Sequence, residues 1–246
     1  PELGFGLNLG RQLWWLKAKY PERFRQLATV LLYPQYWVWK LTGIAVSEVT
    51  SLGCHTDLWQ PSSRCYSSLV RQLDIEGALP PIVSAIQPVG VVLPSIAHAL
   101  GLPDDCQVYP GVHDSNASFA RYLYAGFQEP FTVVSTGTWI VSLSAGGDLA
   151  ELSEACDMLA NVSVLNQPIA CARFMGGRES DQICQYRGVA ASGDFAEADI
   201  ENLIANDVFA FPPFVPGSGP FRDNPSKGGQ LVGGQGGSAL ATLYLA

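Results

Sequence analysis

Two places in this 246-residue chain combine residue types at a spacing that could do chemistry: the run Gly111-Val112-His113-Asp114-Ser115-Asn116-Ala117 and the hydroxyl-rich turn Ser135-Thr136-Gly137-Thr138. Asp114 falls where a short strand beginning at Cys106 should give way to a helix closed by Gly126. A carboxylate at that junction has two readings. It can cap the helix, or it can accept a hydroxyl proton as a general base while the unpaired N–H groups of the helix start favour nearby negative charge.

The second element also reads two ways. β-Branched residues around a glycine make an ordinary hairpin between Phe131–Ser135 and Thr138–Ser144. The same residues can clamp phosphate, because Gly137 lets the backbone approach and the adjacent hydroxyl and N–H groups of Thr138 bind oxygens without a net positive charge. A later glycine-rich stretch, Lys227 to Gly237, lacks the G-x-x-x-x-G-K-[ST] order of a P-loop. His113, Asp114 and Ser115 are the residue types of a hydrolase triad. Contiguous residues cannot point into one relay without distortion, and no G-x-S-x-G elbow accompanies them.

Composition narrows the partners. A formal charge of −8 argues against nucleic acid, which needs a basic footprint, so any phosphate bound here must be small and locally cradled. Six cysteines and three histidines show no C-x-x-C pair, which argues against structural zinc and leaves no metal ligand to name. Dispersed thiols fit a reducing compartment. No apolar run reaches membrane-spanning length, and the expected location is the cytoplasm. Charged residues at 15% are scarce for a soluble protein, which implies much internal or interdomain surface. Homo-oligomerisation stays open.

The elements that would position these residues follow from periodicity. Leu9, Leu13, Leu16 and Tyr20 recur at helical spacing. Pro21 opens a second helix with Phe24, Leu27, Ala28 and Leu31 inward, and Pro34 to Leu41 reads as a third. Trp15, Trp37 and Trp39 are expected in the core. The polar segment from Ala45 to Trp59 reads as an edge or cleft-side strand and loop, and Pro94 to Leu100 as a short helix stopped by Gly101. Strands are expected near 162–164 and 169–174, a helix from about Gly177 to Tyr186, and a rigid proline loop at 211–221. Gln128-Glu129-Pro130 marks a domain junction.

The base segment and the phosphate hairpin, about twenty residues apart and in this order, resemble the FGGY carbohydrate kinases. Gly111 to Ala117 is similar to that family's Gly-x-x-Asp-x-x-Ala segment and Ser135 to Thr138 to its second phosphate motif. Pro213-Phe214-Val215-Pro216-Gly217-Ser218-Gly219-Pro220 is similar to its Pro-Tyr-x-x-Gly-Glu-Arg-x-Pro loop, and Leu13 to Glu22 to the helix that opens its first signature. Ser218 and Gly219 depart from the Glu-Arg pair, and Arg11 and Gln12 stand near a usual lysine.

The resemblance implies an α/β, actin-like, ribonuclease-H-like two-domain kinase fold. Residues 1–127 would belong to the N-terminal, sugar-binding domain and residues 128–246 to the C-terminal, nucleotide-binding domain. It implies in-line transfer of the ATP γ-phosphoryl to a sugar or polyol hydroxyl, with Mg²⁺ bridging the phosphates. Asp114 would be the base, His113 and Ser115 would face the sugar, and Gly137, Thr138 and Gly177 would meet the nucleotide. Glu48, Thr50 and Ser51 match an acidic, hydroxyl-rich segment with a structural role. The family's Asp-x-Gly-Thr-Thr stretch and its late adenosine motif have no counterpart, so the fold is expected to be incomplete at both ends. The sugar looks closest to the deoxy-ketoses fuculose and rhamnulose. A catalytically idle sugar- or nucleotide-binding protein on the same scaffold is the alternative.

Overall fold

The structure is a computed structural model describing residues 8–128, 130–187, 197–221 and 228–233. Two compact units divide it: residues 2–129 with 160–169 form the first, and 130–159 with 170–246 the second.

The first unit is mainly helical. Asn8 caps α1 (Leu9–Lys19), its side chain accepting from the Arg11 N–H at 3.0 Å. Pro21 begins a helix as expected, but α2 (Pro21–Phe24) is a single turn and the chain then runs irregularly to α3 (Tyr33–Thr42). The segment expected as an edge strand instead holds α4 (Val49–Gly53), preceded by an isolated bridge from Ser47 to Ile82. Its polar residues are buried because they bond one another, which composition alone does not reveal.

Further along lie the short ribbon β1 (Trp59–Gln60) with β2 (Cys65–Tyr66), then α5 (Ser68–Leu73). The pair β3 (Gly90–Val91) and β4 (Gln107–Val108) brackets α6 (Pro94–Leu100), which Gly101 ends at φ +65°. The unit closes with α7 (Asp114–Tyr124). Leu13, Leu52, Leu58, Val70, Leu73 and Val162 meet in its core, each such side chain stabilising by about 1.5–3 kcal/mol. A Cβ on Gly53 would collide with Val162, so that glycine admits the hairpin tip at 160–169.

The tryptophans correct the sequence expectation. Trp15, Trp37 and Trp39 are 55%, 50% and 41% exposed. The buried positions of α3 are Gln35, Val38 and Thr42, so the stripe that packs inward leaves both of its tryptophans on flanking faces.

In the second unit, β5 (Phe131–Ser135) and β6 (Ile140–Ala145) form the expected hairpin. Their sheet has the order β5-β6-β8-β7, with β7 (Met158–Val162) and β8 (Pro168–Phe174) at its far side. After it come α8 (Gly176–Arg187), α9 (Glu197–Ala205) and the antiparallel pair β9 (Phe209–Phe211) and β10 (Gln230–Val232). Ile183 and Cys184 pack with Ala210, Phe214 and Leu231. Of the glycine-rich stretch from 227 to 237, only residues 228–233 lie among the described residues.

Among the described residues, no helix is long and apolar enough to cross a membrane. None of the six cysteines forms a disulfide.

Candidate functional site

Asp114 is the first residue of α7, and His113, not Asp114, occupies the N-cap position, with no side-chain capping bond. No strand delivers it. β4 ends at Val108, and a loop through Pro110 and Gly111 intervenes. Gly111 sits at φ +71°, and a Cβ there would come within 2.9 Å of Pro34. Both the left-handed backbone and the close approach therefore require glycine.

The loop before Asp114 is held by buried polar side chains. Gln35, fully buried on α3, donates through Nε2 to the Pro110 carbonyl at 2.9 Å and to Ser51 Oγ at 3.3 Å. The His113 N–H donates to Thr50 Oγ1 at 3.0 Å. Thr50 Oγ1 in turn donates to Glu48 Oε2 at 2.6 Å, and the same oxygen accepts the Thr50 and Ser51 N–H groups at 3.0 and 3.1 Å. Glu48 is thus the cap of α4 and the anchor of the network. Burial raises its pKa, and the hydrogen bonds from Thr50 and Ser51 oppose that shift.

At the end of this network the Asp114 carboxylate is 92% exposed. Its Oδ1 accepts the Ser115 N–H at 2.6 Å and the Ser115 hydroxyl at 3.2 Å. His113 Nδ1 lies 3.1 Å from the same oxygen. Burial lowers the His113 pKa, and the neighbouring Asp114 charge pulls it partly back. Because Ser115 gives its proton to Asp114 and not to His113, the three do not form the Ser–His–Asp relay of a hydrolase. Asn116, one residue further on, is buried with neither amide atom hydrogen-bonded among the described residues.

The second unit builds its candidate site from backbone. Thr136, Gly137 and Thr138 are exposed at the turn between β5 and β6. A Cβ on Gly177 would lie 2.5 Å from the Gly137 carbonyl oxygen and 2.9 Å from Thr138 Cα, so the first turn of α8 abuts the hairpin turn directly. Gly137, Thr138 and Gly177, singled out separately in the sequence, are brought together. The N-terminal turn of α8 then adjoins the hairpin's own hydroxyl and N–H groups, an arrangement suited to phosphate oxygens.

Three contacts with no sequence signal support this region. Buried Glu179 accepts the N–H groups of Phe214 and Val215 at 2.6 and 2.8 Å, tying the proline loop to α8. Asp157 Oδ1 accepts from Arg173 Nε and Nη2 at 2.9 and 2.8 Å, while Oδ2 accepts the Gly219 N–H at 3.2 Å. The Arg173 guanidinium also stacks over Trp139, 5.6 Å from the ring centre.

The two departures in the proline loop have local reasons. Ser218 Oγ accepts the Met175 N–H at 3.1 Å. Gly219 is at φ +75° with Phe174 within 2.5 Å of where a Cβ would stand, which excludes arginine in this backbone.

Residues 6–120 match the N-terminal domain of the FGGY family of carbohydrate kinases, and residues 128–246 match the carbohydrate kinase FGGY C-terminal domain. The chain belongs to the FGGY carbohydrate kinase family, with its actin-like, ribonuclease-H-like α/β fold. Among curated relatives, the L-xylulose/3-keto-L-gulonate kinase of Escherichia coli (strain K12) is 30% identical over 133 residues, covering 52% of this chain and 26% of that protein. A carbohydrate kinase structure from Novosphingobium aromaticivorans superposes with a TM-score of 0.83 at 38% identity, covering 100% of this chain and 54% of that one. A xylulose kinase structure from Brucella ovis reaches 0.74 at 18% identity over 95% of this chain and 49% of its own, a likeness of fold.

Proposed function

We propose that this protein phosphorylates a sugar hydroxyl with ATP, by in-line transfer with Asp114 as the general base. The observation that carries this reading is the exposed Asp114 carboxylate, next to a loop anchored by the buried side chains of Gln35 and Thr50. Asp114 accepts the proton of the attacking hydroxyl, and His113 and Ser115 beside it orient the sugar. Residues 1–127 belong to the sugar-binding domain and 128–246 to the nucleotide-binding domain.

Gly137, Thr138 and Gly177 receive the ATP phosphates, a fit supported by the backbone cradle that only glycine at 177 permits. Mg²⁺, when bound with ATP, neutralises charge building on the transferred phosphoryl group. Such transfer depends mainly on positioning, which is what the buried network behind Asp114 supplies. A cytoplasmic location suits a small-molecule kinase that relies on soluble ATP. The names of the curated relatives, an L-xylulose/3-keto-L-gulonate kinase and two xylulose kinases, favour a ketose of the xylulose kind over the deoxy-ketoses.

The test is ADP release by the full-length protein across ketoses, pentuloses and polyols. Sugar-dependent ATP consumption is expected. Ester cleavage without ATP, or sugar binding with no turnover for any acceptor, would overturn the reading.

A further inference from the structure

The sequence spacing of cysteine and histidine offers no zinc framework, yet folding gathers three such side chains. Cys54, His55 and His113 each present one ligand atom, and these atoms all lie within 4.8 Å of one another. Cys54 ends α4 and is buried. His55 follows it at φ +57°, a left-handed backbone that turns its ring back toward the same point. The His55 and His113 rings meet edge to face with centroids 5.6 Å apart. His113 Nδ1 is buried, and Asp114 Oδ1 at 3.1 Å lies outside hydrogen-bonding alignment with it.

We propose that Cys54, His55 and His113 form a binding site for a zinc-type divalent ion. One thiolate and two imidazoles are the ligand types that zinc prefers, and three protein ligands leave a fourth position for water or an incoming oxygen. Tetrahedral zinc with these donors needs ligand atoms about 3.4–3.6 Å apart, given bonds of about 2.0–2.3 Å. An ion would draw the three ligand atoms in from a spacing that is now within 4.8 Å. Binding releases the Cys54 thiol proton to solvent as the sulfur becomes a thiolate ligand. The neighbours favour order at the site, since Asn161 Nδ2 lies 3.8 Å from Cys54 Sγ and Thr50 holds the His113 backbone. An ion here would link the end of α4 to the loop carrying Asp114. The proposal stands on these three side chains and does not depend on the kinase reading.

Cobalt(II) is the spectroscopic probe. Titrated into the full-length protein under reducing conditions, it should saturate at one equivalent with tetrahedral d–d absorption and a thiolate-to-metal charge-transfer band, and added zinc should displace it. Cys54→Ser and His55→Ala should each weaken cobalt binding by more than about 100-fold, beyond what loss of an outer-shell partner causes. Cys65→Ser, at an exposed cysteine, should leave the spectrum unchanged. Circular dichroism separates a misfolded Cys54→Ser from a folded one, and half-buried His55→Ala provides the independent arm. Octahedral spectra only, or a thiolate band that survives both Cys54→Ser and His55→Ala in folded protein, would overturn the proposal.

Discussion

The loop before Asp114 and the turn at Gly137 hold their chemistry in opposite ways. The first is suspended from buried side chains: Gln35 on the Pro110 carbonyl, Thr50 on the His113 N–H, Glu48 behind Thr50. The second is set by the contact of two backbones, with Gly177 against Gly137 and Thr138. A side-chain scaffold loses function when atoms are removed, and a backbone scaffold loses it when atoms are added.

Gly177→Ala should therefore have the largest effect on the second site. Its methyl meets backbone that cannot rotate away, so overpacking of about 1–3 kcal/mol is expected together with loss of nucleotide binding. Calorimetric titration with ATP and thermal unfolding would check this. Unchanged ATP affinity would erase the contrast between the two sites.

On the first site, Thr50→Val keeps the shape and removes both hydrogen bonds of the hydroxyl. The cost should be about 1–3 kcal/mol from a Glu48 oxygen and a His113 N–H left short of partners, read by urea denaturation. Thr138→Val is the matching change at the hairpin, where the hydroxyl is exposed. Its effect should fall on nucleotide binding alone, by about 0.5–1.5 kcal/mol, with folding stability unchanged.

The smallest effect is a pH dependence. Burial raises the folded-state pKa of Glu48 above its unfolded value, so the native state holds this proton more tightly than the unfolded chain does. The associated stability is fully present below the unfolded pKa and is lost as pH rises through the folded one. Glu48→Gln should flatten that decline in urea midpoints measured upward from the ordinary carboxylate range. An identical slope in wild type and variant would show that Glu48 is not its source.

The same contrast decides what the sequence could reveal. The hairpin, α7 and the Gly101 stop are local features, set by alternation, helical period and a left-handed glycine, and they read directly. The links from Gln35 to Pro110 and from Glu179 to Phe214 join positions far apart in the chain, and nothing near either residue signals them. The polar stretch from Ala45 to Trp59 looked too hydrophilic to bury. Its burial is supported by the bonds that Thr50 and Ser51 donate to Glu48 Oε2, an arrangement invisible to composition. The exposed tryptophans mislead for the reverse reason, since apolar character says a residue can be buried without saying which helical face turns inward.

The most direct test of the account is turnover of the full-length Asp114→Asn protein. Asparagine keeps the shape and can still accept from Ser115, but it cannot take a proton. ATP and sugar affinities should stay near wild type while turnover falls by about 10²–10⁴. Wild-type turnover in Asp114→Asn would contradict the assignment of Asp114 as the base.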